Sequence, residues 1–198
     1  MEKERTLDIM ETFRGFIAID VPLNQTLQNL INQIQSTSCN IKLVEPENIH
    51  ITLKFLGETH VQHLKKIEHI MNETIKEIPP FSIQLKVTGV FPNENYIKVL
   101  WIGIEHTKPL EFIAKELDNK LANLGYKKEQ RKFSAHLTLG RVRSAKAKDE
   151  LIALIHETKE LFIADILVNS IQLKKSTLTP AGPIYETLIT SSLPVEKQ

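Results

Sequence analysis

The chain has 198 residues, 41% of them hydrophobic, and a formal net charge of +1. That is enough for one domain with a sizeable core, and too near neutrality for bulk charge to define a partner. No apolar run approaches the roughly 18–20 residues of a membrane span, and the charged opening lacks the apolar stretch of a secretory signal. Cys39 is the only cysteine, which excludes an intramolecular disulfide and a cysteine-rich metal site and fits a reducing cytoplasm.

Residues 1–13 show mixed charge without periodicity and are predicted to form a flexible tail. A single domain is predicted over 14–192. Phe16–Ile19 reads as a buried strand, and Leu23, Leu27, Leu30, Ile31 and Ile34 then recur at helical spacing. Ile41–Val44 and Ile49–Leu56 read as strands, with Gly57 ending the second. A helix should follow, with Leu64, Ile67, Met71 and Ile75 inward, stopped by Pro79-Pro80. Phe81–Phe91 and Tyr96–Ile104 read as two strands joined by a turn at 92–95. The next helix carries Leu110, Ile113, Leu117, Leu121 and Leu124, and Gly125 suits its C-terminal end. Phe133–Val142 is predicted as a strand, Lys146–Thr158 as a short helix, and Leu161–Leu178 as one or two strands. After a turn at 179–183, Ile184–Thr190 closes the set. There is no glycine-rich phosphate loop, so neither a Rossmann unit nor a P-loop is supported. The fold class read from this order is α+β.

Charge is unevenly distributed. Between Tyr126 and Lys148 lie eight lysines and arginines, including Arg131 and Lys132, against Glu129 alone. Such a segment can attract phosphate or can simply be a solvated face.

One tetrapeptide pattern occurs twice: His50-Ile51-Thr52-Leu53, and His136-Leu137-Thr138-Leu139. Strand alternation puts His50, Thr52 and Lys54 on one face and Ile51, Leu53 and Phe55 on the other. The second copy likewise separates His136 and Thr138 from Leu137 and Leu139. If the two polar faces meet, two imidazoles and two hydroxyls converge on a space that suits one phosphate. Imidazole titrates near neutral pH, so one ring can act as base while the other acts as acid. Threonine hydroxyls can donate to non-bridging phosphate oxygens as charge develops there. This chemistry needs no metal or other cofactor.

Three rival readings stand beside it. Two ordinary strands with backbone-satisfied histidines would carry no chemistry. His60 and His63, three apart on the second helix, could hold zinc with a third ligand, but nothing matches a His-Glu-x-x-His pattern. The same fold could also bind a nucleotide or RNA end without cleaving it.

These residues resemble the 2H phosphoesterase superfamily, and within it the RNA 2′,3′-cyclic phosphodiesterases, also called 2′-5′ RNA ligases. The likeness runs from Arg14-Gly15-Phe16-Ile17-Ala18-Ile19 through His50–Gly57, Gly89-Val90-Phe91, Val99-Leu100-Trp101 and Phe133–Arg141 to Gly182-Pro183-Ile184-Tyr185. The family usually has proline where this chain has Ala135. The resemblance implies two pseudo-twofold-related lobes of antiparallel sheet with helices outside and a cleft between them. It implies hydrolysis of an RNA terminal 2′,3′-cyclic phosphate to a 2′-phosphomonoester, with minor reverse ligation. His50 would be proton donor and His136 proton acceptor. Thr52, Thr138 and Arg141 would hold the phosphate, although strict alternation puts Arg141 opposite His136 unless the strand bends near Gly140. Phe16, Lys54, Arg131 and Lys132 are further candidate RNA contacts. Phe16 and Trp101 also read as core residues. The implied setting is a cytoplasmic monomer without an obligate protein partner. An enzyme of the same superfamily acting on another small cyclic or 2′-5′-linked nucleotide is the nearest alternative.

Overall fold

Helix α1 (Gln25–Ser36) shows how the pattern becomes structure. Leu27, Leu30, Ile31 and Ile34 lie on one face and are buried. The Asn24 side chain accepts the Leu27 N–H at 2.8 Å, a cap worth about 1 kcal/mol. The computed structural model describes residues 11–144, 147–180 and 182–195. The first ten residues of the predicted tail, Lys146 of the basic segment and Ala181 of the last turn lie outside them.

The described residues form nine strands: β1 (Thr12–Asp20), β2 (Ile41–Leu43), β3 (His50–His60), β4 (Phe81–Asn93), β5 (Tyr96–Glu105), β6 (His136–Val142), β7 (Phe162–Val168), β8 (Ser170–Leu178) and β9 (Pro183–Ser192). The other helices are α2 (Leu64–Ile75), α3 (Lys108–Ala122) and α4 (Lys148–Glu157). One sheet runs β3-β1-β8-β9 and the other β2-β6-β5-β4-β7, with antiparallel pairing throughout. Helices α2 and α3 pack on the first sheet, and α1 and α4 on the second. Strands β3 and β6, which carry the two tetrapeptides, approach each other between the sheets. Their apolar faces anchor them: Ile51, Leu53, Leu137 and Leu139 are all buried, each contributing roughly 1.5–3 kcal/mol.

Several expectations need correction. Order begins before Arg14: Phe13 is buried in β1, and Glu11 O accepts the Val61 N–H at 3.0 Å. Gly57 does not end its strand. It lies inside β3 opposite Gly15, with φ +72°, a conformation that glycine adopts without a Cβ penalty. His60 closes that strand and His63 sits in a short 3-10 turn before α2, so neither lies on the helix.

Two irregularities in strand pairing shape the cleft. The β1–β3 ladder pairs Ala18 with Thr52 but Ile17 with Lys54, so Leu53 is an extra residue. The β5–β6 ladder pairs Trp101 with Thr138 but Leu100 with Gly140, so Leu139 is an extra residue. A bulge at the same place in each motif reverses the alternation beyond it. Phe55, expected on the core face, is 60% exposed, while Lys54 is 2% exposed. Arg141 escapes the core face in the same way and is exposed.

Candidate active site

The two motif strands open onto one cleft of about 1340 Å³ that both histidines, both threonines, Arg141, Arg131 and Lys132 line. The two rings are held alike. His50 Nδ1 lies 2.7 Å from Asn48 O, and His136 Nδ1 lies 2.8 Å from Ser134 O. A carbonyl only accepts, so in each ring Nδ1 carries the proton and donates, which leaves Nε2 as the reactive nitrogen. His50 Nε2 meets Thr52 Oγ1 at 3.0 Å.

Aromatic rings back each imidazole. Phe16 lies 5.0 Å from His50, and Tyr185 meets His50 edge-on at 5.3 Å. Across the cleft, Phe91 meets His136 edge-on at 5.4 Å and rests on Trp101 at 5.0 Å. Trp101 in turn covers Gly89, where a Cβ would come within 2.4 Å of the indole. Trp101, expected in the core, is half-buried behind Phe91. Phe16 is 4% exposed. Its faces are taken by neighbouring rings, so it supports His50 and does not offer a stacking surface to a base.

The His50 pKa is lowered. Burial is the largest cause; the Asn48 carbonyl opposes it, and Lys174 adds to the lowering. Lys174 is itself buried and paired with Asp20 at 2.8 Å. The charge of His136 also acts on His50, as two rings facing one space require. Burial raises the Tyr185 hydroxyl pKa, while Arg141 and Arg14 pull it down. Arg141 from the second sheet and Tyr185 from the first both line the cleft.

Lys54 is not where alternation put it. Its ammonium donates to Asp118 Oδ1 at 2.7 Å and to Lys127 O at 2.6 Å, and pairs with Glu129 at 3.6 Å. With those acceptors around a buried amine, Lys54 ties β3 to α3 and to the basic segment instead of contacting RNA. The cleft also holds Arg14, Phe55, Phe91 and Tyr185, which residue-by-residue reading had not placed in it. All four lie within the segments that carry the family resemblance. His60 and His63 face each other at 5.6 Å, and His63 Nδ1 meets Tyr126 Oη at 3.0 Å. Among the described residues no group of three His, Cys, Asp or Glu side chains is placed to hold a metal, and no helix is long and apolar enough to cross a membrane.

The family model described as LigT-like phosphoesterase matches this chain twice, over residues 17–101 and 102–185. The chain belongs to the LigT-like phosphoesterase family. Each match contains one tetrapeptide, so the duplicated motif reflects a duplicated unit. A Methanocaldococcus jannaschii protein is 46% identical over 175 residues, covering 88% of this chain and 98% of that protein. A Methanothermobacter thermautotrophicus protein is 38% identical over 176 residues, covering 87% and 94%. Both are named RNA 2′,3′-cyclic phosphodiesterase. A solved Thermus thermophilus structure matches with TM-score 0.77 and 24% identity, covering 93% of this chain and all of that one. Escherichia coli LigT in complex with 3′-AMP matches with TM-score 0.70 and 23% identity, covering 92% and 99%. At those identities the structural matches speak for the LigT-like fold alone.

Proposed function

We propose that this chain hydrolyses the 2′,3′-cyclic phosphate at the end of an RNA to a 2′-phosphomonoester, using two histidines and no metal. The observation that carries the reading is the matched pair of imidazoles, each anchored through Nδ1, with both rings on one cleft. The relatives' name agrees with it. The cyclic phosphate lies between the rings. His136 Nε2 takes a proton from water, whose oxygen attacks phosphorus. The P–O3′ bond breaks on the opposite side, and His50 Nε2–H protonates the departing 3′ oxygen. Thr52 and Thr138 hydroxyls donate to the non-bridging oxygens, and Arg141 balances their charge. Ligation of a 2′-5′ bond is the same path with an RNA 5′-hydroxyl in place of water as the attacking group, and a minor activity. Both motifs come from one chain, so the site works in a monomer, and the single buried thiol of Cys39 suits a reducing cytoplasm.

One observation favours the opposite polarity. A lowered pKa keeps His50 neutral in the empty cleft, which suits a base. The substrate's negative charge works against that lowering and favours the protonated ring.

The test is an oligonucleotide ending in 2′,3′-cyclic phosphate, with the product mapped. A 2′-phosphate formed in the presence of a strong chelator is expected. A 3′-phosphate, or no turnover, would overturn the reading. Polarity is tested with sulfur in place of the 3′ oxygen, because a thiolate leaves without an acid. His50→Ala should recover turnover on that substrate and His136→Ala should not; the reverse pattern exchanges the roles.

A further inference from the structure

We propose that the arm of the cleft between β3, α3 and residues 127–132 seats the nucleotide immediately 5′ of the cyclised ribose, with its base stacked on Phe55 and Phe112. The inference rests on the proposed function and adds a substrate requirement: a single-stranded end at least two nucleotides long, read without regard to base identity.

Phe55 and Phe112 are 60% and 52% exposed, and both line the cleft. Neither contributes much to the core. The bulge at Leu53 is what turns Phe55 outward, and α3, which carries Phe112, packs against β3. The Phe16 ring, 5.0 Å from His50 and 6.4 Å from Phe55, sets Phe55 one ring away from the reacting centre.

Charge tells which nucleotide belongs here. Lys115, Arg131 and Lys132 line the same arm and, among the described residues, make no ion pair. The carboxylates nearby are engaged: Asp118 and Glu129 with Lys54, and Glu111 with the Thr107 hydroxyl at 2.7 Å. Aromatic faces beside unpaired cations form a platform for single-stranded nucleic acid. A seat for the terminal base alone would leave those cations with no phosphate to meet, whereas the upstream nucleotide supplies one. The arm is also pre-formed. Lys54 joins Asp118 to Lys127 O, and the Glu129 N–H donates to Asp118 at 3.0 Å. Phenylalanine offers neither donor nor acceptor, so stacking there ranks bases only by ring area.

The experiment compares three substrates: adenosine 2′,3′-cyclic phosphate, a dinucleotide ending in the same group, and that dinucleotide with an abasic 5′ residue. For the wild type, kcat/KM is expected to be at least about tenfold higher on the intact dinucleotide than on the other two, the size of one lost base stack. Phe55→Ser and Phe112→Ser should lower the dinucleotide value about tenfold more than the mononucleotide value, and Phe55→Trp should restore it. Equal losses on both substrates, or none, would overturn the seat. Binding of the 2′-phosphorylated dinucleotide, followed by calorimetry, poses the question without turnover. Weaker binding by both serine variants supports the proposal, and unchanged binding overturns it. Absence of turnover on every cyclic phosphate would overturn the proposed function, and the binding arm would still decide the seat.

Discussion

Strands β3 and β6 are two versions of one device, and they diverge most after the fourth residue. Each presents His and Thr to the cleft, ties its imidazole to the carbonyl two residues back, and inserts an extra leucine. In β3 the next residue is Lys54, which turns inward onto Asp118, and then Phe55 faces out. In β6 the next is Gly140, followed by Arg141. Glycine is required there because a Cβ would come within 2.9 Å of Lys42 O on neighbouring β2. The same backbone error, committed twice, delivers an aromatic ring on one side and a cation on the other. The paired imidazole geometry is therefore separable from what each strand presents beyond it.

The largest effect should come from the shared part. His50→Ala and His136→Ala are each expected to lose at least about 100-fold in turnover of an RNA 2′,3′-cyclic phosphate, as removal of a general acid or base does. Near-normal turnover in either would break the equivalence of the strands. Asp118→Ala tests what is particular to β3. It removes the closest charged partner of a buried ammonium, at a cost of about 3 kcal/mol, or roughly 6–12 °C in thermal midpoint. The sign with pH follows. Burial raises the Asp118 pKa, but Lys54 and the Glu129 N–H outweigh it, and the net shift is downward. Its contribution is therefore full above the ordinary aspartate range and is lost as pH falls through the depressed value. Thermal melts of the wild type should show that acid loss more strongly than melts of the variant.

Smaller effects separate the two sides further. Thr52→Ala and Thr138→Ala should each lower turnover about tenfold, the worth of one hydrogen bond to a charged group. The smallest is a displacement in pH. The limb of kcat/KM that reports His50 in the free enzyme should lie below the ordinary histidine value because burial favours the neutral ring. In kcat, with the anion bound, that limb should move upward. A limb that stays put would show that the phosphate does not sit against His50.

Sequence pattern pointed to the cleft that the structure shows because amphipathic alternation and a repeated tetrapeptide are local signals. His50, Thr52, His136 and Thr138 needed nothing more. The helices were legible for the same reason, as the inward stripe of α1 shows. What alternation could not reveal was the place where it fails. Gly140 hinted at a bend in β6, but nothing in Leu53-Lys54-Phe55 marks a bulge, and reading through it exchanged the faces of Lys54 and Phe55. The start of β1 at Thr12 and the continuation of β3 past Gly57 depend on pairing between the two strands. The ring contacts of Tyr185 and Phe91 join residues far apart in the chain, and no local window contains them.

Because each imidazole is tethered by its inner nitrogen to a carbonyl only two residues behind it, the ring's orientation is stored inside a three-residue stretch of backbone. Relative motion of the sheets would change how far apart the two outer nitrogens stand without turning either ring away. Bound ligands of different width could then be gripped by the same pair of jaws, each tooth keeping its bite.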